Sequence, residues 1–217
     1  VTQPPQQPQP PQPPGQPQPP TPPEEPTPPF NDVPDDHWAS EYVQFVRENN
    51  IMQGIGGNYF GPDDSFTRIM LVATLFRIVH GGTAVEFPYG GTRLIFDDVR
   101  YAQWYTSYIA WAYNNNIVEG VGGGLFGTTT ALTREQFAVM MFRLAEFLGL
   151  DTTVRQSGQW TNFADRGEIS DWAVNALIWA NYHGLITGTN ATTIDSSGTA
   201  TRAQAAAILS RFVARFG

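Results

Sequence analysis

The chain has 217 residues, 41% of them hydrophobic, with 12 basic against 20 acidic side chains and a formal net charge of -8. All 12 basic residues are arginine and cysteine is absent. Disulfides, thiolate metal sites and nucleic-acid binding through a broad basic face are therefore excluded. No apolar run approaches the roughly 18 residues that span a bilayer, so membrane insertion is not expected.

Residues 1–29 are almost entirely Pro, Gln, Thr and Glu, and hold 15 of the 18 prolines. Such a segment forms neither a helix ladder nor a core, and polyproline II is its natural state. It reads as a disordered linker, reaching on the order of 90 Å if fully extended. Val1-Thr2-Gln3-Pro4 has neither the charged start nor the apolar stretch of a signal peptide. The expectation is a mature product or a piece of a longer chain whose cargo lies before Val1.

After Pro34-Asp35-Asp36, the residues Trp38, Tyr42, Val43, Phe45 and Val46 give a helical apolar stripe ending near Asn49-Asn50. Asp35 or Asp36 is the expected N-cap. Gly54, Gly56 and Gly57 lend backbone freedom to a loop, and a second helix is expected from Thr67 to about Val79, stopped at Gly81-Gly82. Helices follow from Trp104 to about Asn114 and from Thr133 to about Phe147. The last pair runs from Trp172 to about Tyr182, capped by Ser170 or Asp171, and from Thr201 to about Arg215. The second helix of each pair is apolar around most of its circumference, as expected of a helix buried on several sides.

These pairs are copies of one pattern. Phe30, Asp32, Trp38, Gly54, Phe60 and Thr67-Arg68 match Phe96, Asp98, Trp104, Gly120, Phe126 and Thr133-Arg134 at an offset of 66 residues. Phe163, Asp165, Trp172, Gly188 and Thr201-Arg202 form a third copy, offset by 67 and then 68 residues. A period this long marks supersecondary units that do not bury their apolar faces alone. The organisation is a linker (1–29), modules at 30–82, 96–148 and 163–217, and connectors at 83–95 and 149–162. The fold class is all-α, three helix-loop-helix repeats packed as a monomeric pseudo-threefold bundle.

Thr133 to Gln136 and Thr201 to Gln204 have capping-box spacing, whereas Thr67 is followed by Met70. Arg68, Arg134 and Arg202 stand at the first helical position, where the macrodipole disfavours a cation. Recurrence there points to a fork for a carboxylate or phosphate at the helix start, or to ion pairs with Asp32, Asp98 and Asp165. The aspartates themselves read as turn residues or as acceptors for sugar hydroxyls. Trp38, Trp104 and Trp172 have the spacing of core anchors. Phe45, Trp111 and Trp179 share one position, apolar packing or a stacking surface. His37, His80 and His183 occupy unrelated positions, and Asp63-Asp64 and Asp97-Asp98 lack calcium-loop spacing. No catalytic, metal or cofactor site is expected, and two-carboxylate hydrolysis predicts an unmatched acid pair that the repeats do not offer.

Phe30-x-Asp32-Val33 with Trp38, Phe96-x-Asp98-Val99 with Trp104, Phe163-x-Asp165 (without the Val) with Trp172, and Thr67-Arg68-Ile69-Met70, Thr133-Arg134-Glu135-Gln136 and Thr201-Arg202-Ala203-Gln204 resemble S-layer homology modules, whose helix-start motif is Thr-Arg-Ala-Glu or a close variant. The resemblance covers nearly everything after the linker. It implies a pseudo-trimer on the surface of Gram-positive-type bacteria that anchors non-covalently to an anionic secondary cell-wall polysaccharide. The implied ligand is a terminal pyruvylated N-acetylmannosamine, held in grooves between modules. By position the groove residues are Arg68, Arg134, Arg202, Asp32, Asp98, Asp165, Gly54, Gly120 and Gly188, with Thr67, Thr133, Thr201, Gln136 and Gln204 capping the helices. Met70 and the Asn190-Ala191 pair depart from the pattern, as does the lack of lysine. The alternative is a module assembling a surface layer through protein contacts.

Overall fold

The computed structural model describes residues 29–82 and 96–217. The expectations for residues 1–28 and for the connector 83–95 lie outside them. The described residues form six α-helices: α1 Ser40–Glu48, α2 Arg68–Val79, α3 Thr106–Asn114, α4 Arg134–Phe147, α5 Val174–Tyr182 and α6 Arg202–Phe216. Short 3-10 turns at Trp160–Asn162, Arg166–Glu168 and Asp171–Ala173 precede α5. Among the described residues the only β contacts are isolated bridges, so the fold is all-α.

The second helices start where the sequence signals place them. Thr67, Thr133 and Thr201 are extended N-caps, and each accepts a hydrogen bond from the N–H three residues on. Gln136 and Gln204 return the bond to complete capping boxes, and Met70 has no group with which to do so.

The first helices start later than the apolar stripe suggests. Ala39, Tyr105 and Ala173 are the N-caps of α1, α3 and α5, and none makes a side-chain capping bond. Asp35 and Asp36 therefore do not cap α1. Ser170 leads into the 3-10 turn Asp171–Ala173 rather than into α5, and its side chain makes no capping bond to that turn. The tryptophans consequently sit just before the helices, on tight turns, and are not core anchors. Trp38, Trp104 and Trp172 are 58%, 57% and 57% exposed. The core is filled by other repeat positions, among them Phe30, Phe96 and Phe163, and by the apolar faces of α2, α4 and α6.

Packing runs between modules as much as within them. Helices α2 and α3 pack together, as do α4 and α5, and α6 packs on α1. The stretches before the second helices meet at the centre. There the Phe66 N–H donates to the Ala200 C=O (2.9 Å), the Ala200 N–H to the Leu132 C=O (2.9 Å) and the Leu132 N–H to the Phe66 C=O (2.8 Å). A second set repeats the connection: Arg68 N–H to Thr130 C=O, Arg134 N–H to Gly198 C=O and Arg202 N–H to Asp64 C=O. Each module is thus bonded to both others, and the last is bonded to the first. These bonds satisfy backbone groups that would otherwise be orphaned at helix starts inside the core.

Candidate functional site

Each module carries a loop between its two helices, and one carboxylate holds that loop in shape. Asp32 accepts the N–H groups of Phe60 (2.8 Å) and Gly61 (2.7 Å). Asp98 accepts those of Phe126, Gly127 and Thr128, and Asp165 those of Ile194 and Asp195. Burial pushes the Asp98 and Asp165 carboxyls up, but the amide donors outweigh it and hold both below the usual carboxylate range; Arg134 also favours the charged form of Asp165.

The glycines close the same loops. A Cβ on Gly54 would lie 2.6 Å from the Tyr59 carbonyl oxygen and 2.7 Å from the Phe30 ring. On Gly120 it would lie 2.5 Å from the Leu125 carbonyl and 2.8 Å from Phe96. Gly54 is therefore needed for close approach; the conformational freedom expected of it belongs to Gly56 and Gly57, whose φ values are +110° and +59°.

The arginines cross to the neighbouring module's loop. Arg68 donates from Nε to the Phe126 C=O (2.9 Å) and from a terminal nitrogen to the Glu119 C=O (2.7 Å). Arg202 makes the matching pair to Phe60 (2.8 Å) and Gln53 (2.8 Å). Arg134 donates from Nε to the Ile194 C=O (3.0 Å). All three are buried, at 5%, 5% and 6% exposure, and burial lowers each guanidinium pKa from its ordinary value. Among the described residues none forms an ion pair with Asp32, Asp98 or Asp165. The aspartate and the neighbour's arginine instead grip opposite sides of one peptide: in loop one, Asp32 takes the Gly61 N–H and Arg202 takes the Phe60 C=O.

Arg134 differs from its counterparts. Its terminal nitrogens have no protein partner among the described residues, and neither is sealed from solvent. They border a cavity of about 240 Å³ lined by Trp38, Thr187, Gly188, Thr189, Gln204 and Arg211. The groove at Arg68 is about 340 Å³ and is lined by Glu119, Gly120, Val121, Gln136, Arg143 and Trp172. Each of these two grooves takes its arginine, its loop and second helix, and its tryptophan from three different modules. A separate hollow of about 640 Å³, with Phe30, Arg47, Gln53, Gly54 and Tyr59 on its wall, is built from the first module alone.

Two groove elements escape a reading of the motif alone. One is the exposed tryptophan, whose spacing suits a core residue as well as a rim residue. The other is a second repeated arginine, Arg77, Arg143 and Arg211, nine residues after each Thr-Arg arginine, of which Arg143 and Arg211 line the two grooves. Extending the repeat comparison down the helix would have found it. Arg143 pairs with Glu119 at 3.1 Å, while Arg77 and Arg211 donate to the carbonyls of Ile51 (3.2 Å) and Leu185 (3.3 Å).

A family model described as S-layer homology domain matches residues 29–69, 95–138 and 162–206. The chain is 31% identical, over 83% of its length, to the exoglucanase XynX of Acetivibrio thermocellus, covering 16% of that protein. It is 30% identical over 83% of its length to an amylopullulanase of Thermoanaerobacterium thermosulfurigenes, covering 9% of it. It is 29% identical over 81% of its length to the surface-layer 125 kDa protein of Lysinibacillus sphaericus, covering 14% of that chain. The chain thus spans less than a fifth of each of these three relatives.

Proposed function

From the premise that this chain belongs to the S-layer homology domain family and acts in surface-layer association or anchoring at the bacterial cell surface, we propose that its intermodule grooves bind an anionic cell-wall polysaccharide. The sugar class is a pyruvylated N-acetylmannosamine, and the chain itself carries no catalytic step. The observation that carries this reading is Arg134. It is a buried guanidinium with an open terminal edge facing a sugar-sized cavity.

Burying a cation costs free energy that its single carbonyl contact offsets only in part. A ligand carboxylate on the open edge forms a charge-assisted fork in a place partly shielded from water. Arg211 lies close enough to disfavour the charge on Arg134, so an anion between them is attracted by both. Asp195 and Asp165 favour the Arg134 charge and fix the loop. Trp38 on the groove wall offers a flat apolar surface to the C–H face of a sugar ring. Arg68 and Arg202 share the role through whichever N–H groups their two carbonyl bonds leave over, and Gly120 and Gly188 keep the loop walls low.

The test is calorimetric binding to isolated wall polymer before and after chemical removal of the pyruvyl ketal, with Arg134→Ala beside the parent chain. The expected result is binding to the native polymer only, weakened in the variant by roughly 1.5–3 kcal/mol. Equal binding of native and depyruvylated polymer, or an unaffected and folded Arg134→Ala, overturns the ligand. Failure to bind protein-free sacculi at all favours assembly through protein contacts.

A further inference from the structure

Glu135 stands where the third module has Ala203 and the first has Ile69. It is a carboxylate only 8% exposed, at a module boundary that tolerates apolar residues elsewhere in the same molecule. The Thr-Arg motif does not account for it, and neither does capping, which Thr133 and Gln136 already supply. Its partner is Ser170 of the next module. The Ser170 N–H donates to Oε2 (3.2 Å) and the Ser170 hydroxyl to Oε1 (3.1 Å). The Ser170 C=O in turn accepts the Ala173 N–H (2.8 Å), closing the turn Asp171–Ala173. Trp172 is the middle residue of that turn and a wall of the loop-two groove.

The other tryptophan turns are tied from within their own modules. The Ala39 N–H donates to His37 Nδ1 (3.1 Å) beside Trp38, and the Gln103 N–H donates to the Thr106 hydroxyl (3.2 Å) beside Trp104. Among the described residues, only the Trp172 turn is held by a carboxylate from a neighbouring module.

We propose that Glu135 is a positioning residue that fixes Trp172 at the wall of the loop-two groove and so pre-shapes that groove for a sugar ring. The groove's role as a sugar site rests on the reading of function given above; the hold of Glu135 on Trp172 does not. Two charge-assisted hydrogen bonds to one residue restrain both position and orientation of the turn. A wall already in place spares the ligand the cost of ordering it.

The full chain, with 15N-labelled tryptophan, reads each indole N–H separately, and Trp172→Phe assigns the Trp172 signal. Glu135→Ala should move and broaden the Trp172 signal without ligand, leaving those of Trp38 and Trp104 in place. Glu135→Gln, which keeps an acceptor for Ser170, should restore most of the parent position. With the methyl glycoside of pyruvylated N-acetylmannosamine as probe, the Kd read at Trp172 should weaken by about three- to tenfold in Glu135→Ala, and that read at Trp38 should stay. A Trp172 signal unmoved in ligand-free Glu135→Ala, or equal shifts at all three indoles, overturns the positioning role. A parent chain whose Trp38 responds to the sugar while Trp172 does not overturns the groove's part in binding. If no indole responds in the parent chain, the sugar reading itself fails, and the ligand-free comparison still decides the hold on Trp172.

Discussion

At the scale of single residues, one peptide in each loop is gripped from two modules, and this dictates what substitution does. Arg68→Ala leaves the carbonyls of Phe126 and Glu119 without their donor. We expect a loss of about 3 kcal/mol in urea unfolding, little of it recovered by lysine, which cannot reproduce the planar fork. Asp98 and Asp165 titrate below the usual carboxylate range in the folded chain. Their stabilisation is therefore complete above the unfolded-state value of about 4 and is lost as pH falls through the lower folded value. Asp98→Asn should flatten that acid limb and leave the slope between pH 5 and 8 unchanged. His183 behaves as a separate case. Its Nδ1 is buried without a partner among the described residues, and burial, followed by the nearby Arg215, lowers its pKa. The folded state prefers the neutral ring, so stability should decline as pH falls below about 6.5. The equivalent residues Asn49 and Asn115 instead donate side-chain bonds to Phe45 and Trp111 carbonyls (2.9 and 2.8 Å). His183→Asn should remove that decline in unfolding measured from pH 7.5 to 5.

At the scale of elements, the second helices were legible because their start signals are local: a threonine, a partner three residues on, and an apolar run. Met70→Gln should complete the missing box on α2 and raise stability by a few tenths to about 1 kcal/mol, read as a shift in thermal midpoint. Thr133→Ala should cost about 1 kcal/mol by the same measure. The first helices were located but begun too early, since Trp38, Trp104 and Trp172 fit the apolar period while their backbones belong to the preceding turns. Periodicity records spacing, and exposure depends on which neighbour lies across the gap. The arginines were legible as unusual at a helix N-terminus. Their carbonyl partners were not, because Phe60, Phe126 and Ile194 lie 58 to 142 residues away in sequence. Glu135 was likewise silent, its reason being Ser170 in another module.

At the scale of the whole molecule, the same backbone hydrogen bonds recur at every module boundary and the boundaries close on themselves. Removing residues 163–217 deletes α5 and α6, and with them the partners of α4 and α1. It also removes the Ala200 link of the central hydrogen-bond ring. The remaining two modules should lose cooperative melting or aggregate, as light scattering during thermal unfolding would record. A monomeric two-module product with a sharp transition would mean that each module folds by itself.

Arg202 has a mechanical consequence. A pull on the chain ahead of Phe30 enters the molecule through the Phe30 ring, 5.5 Å from that of Phe60, and through the Asn31 N–H, bonded to the Asn58 C=O. In an open row of modules that tension would peel the first from the second by breaking one boundary. Here the Phe60 carbonyl is also clasped by Arg202, from the helix that ends the described chain. The first module cannot lift away without parting from the third as well, so the tug is shared by two seams and the two extremities of the fold yield together.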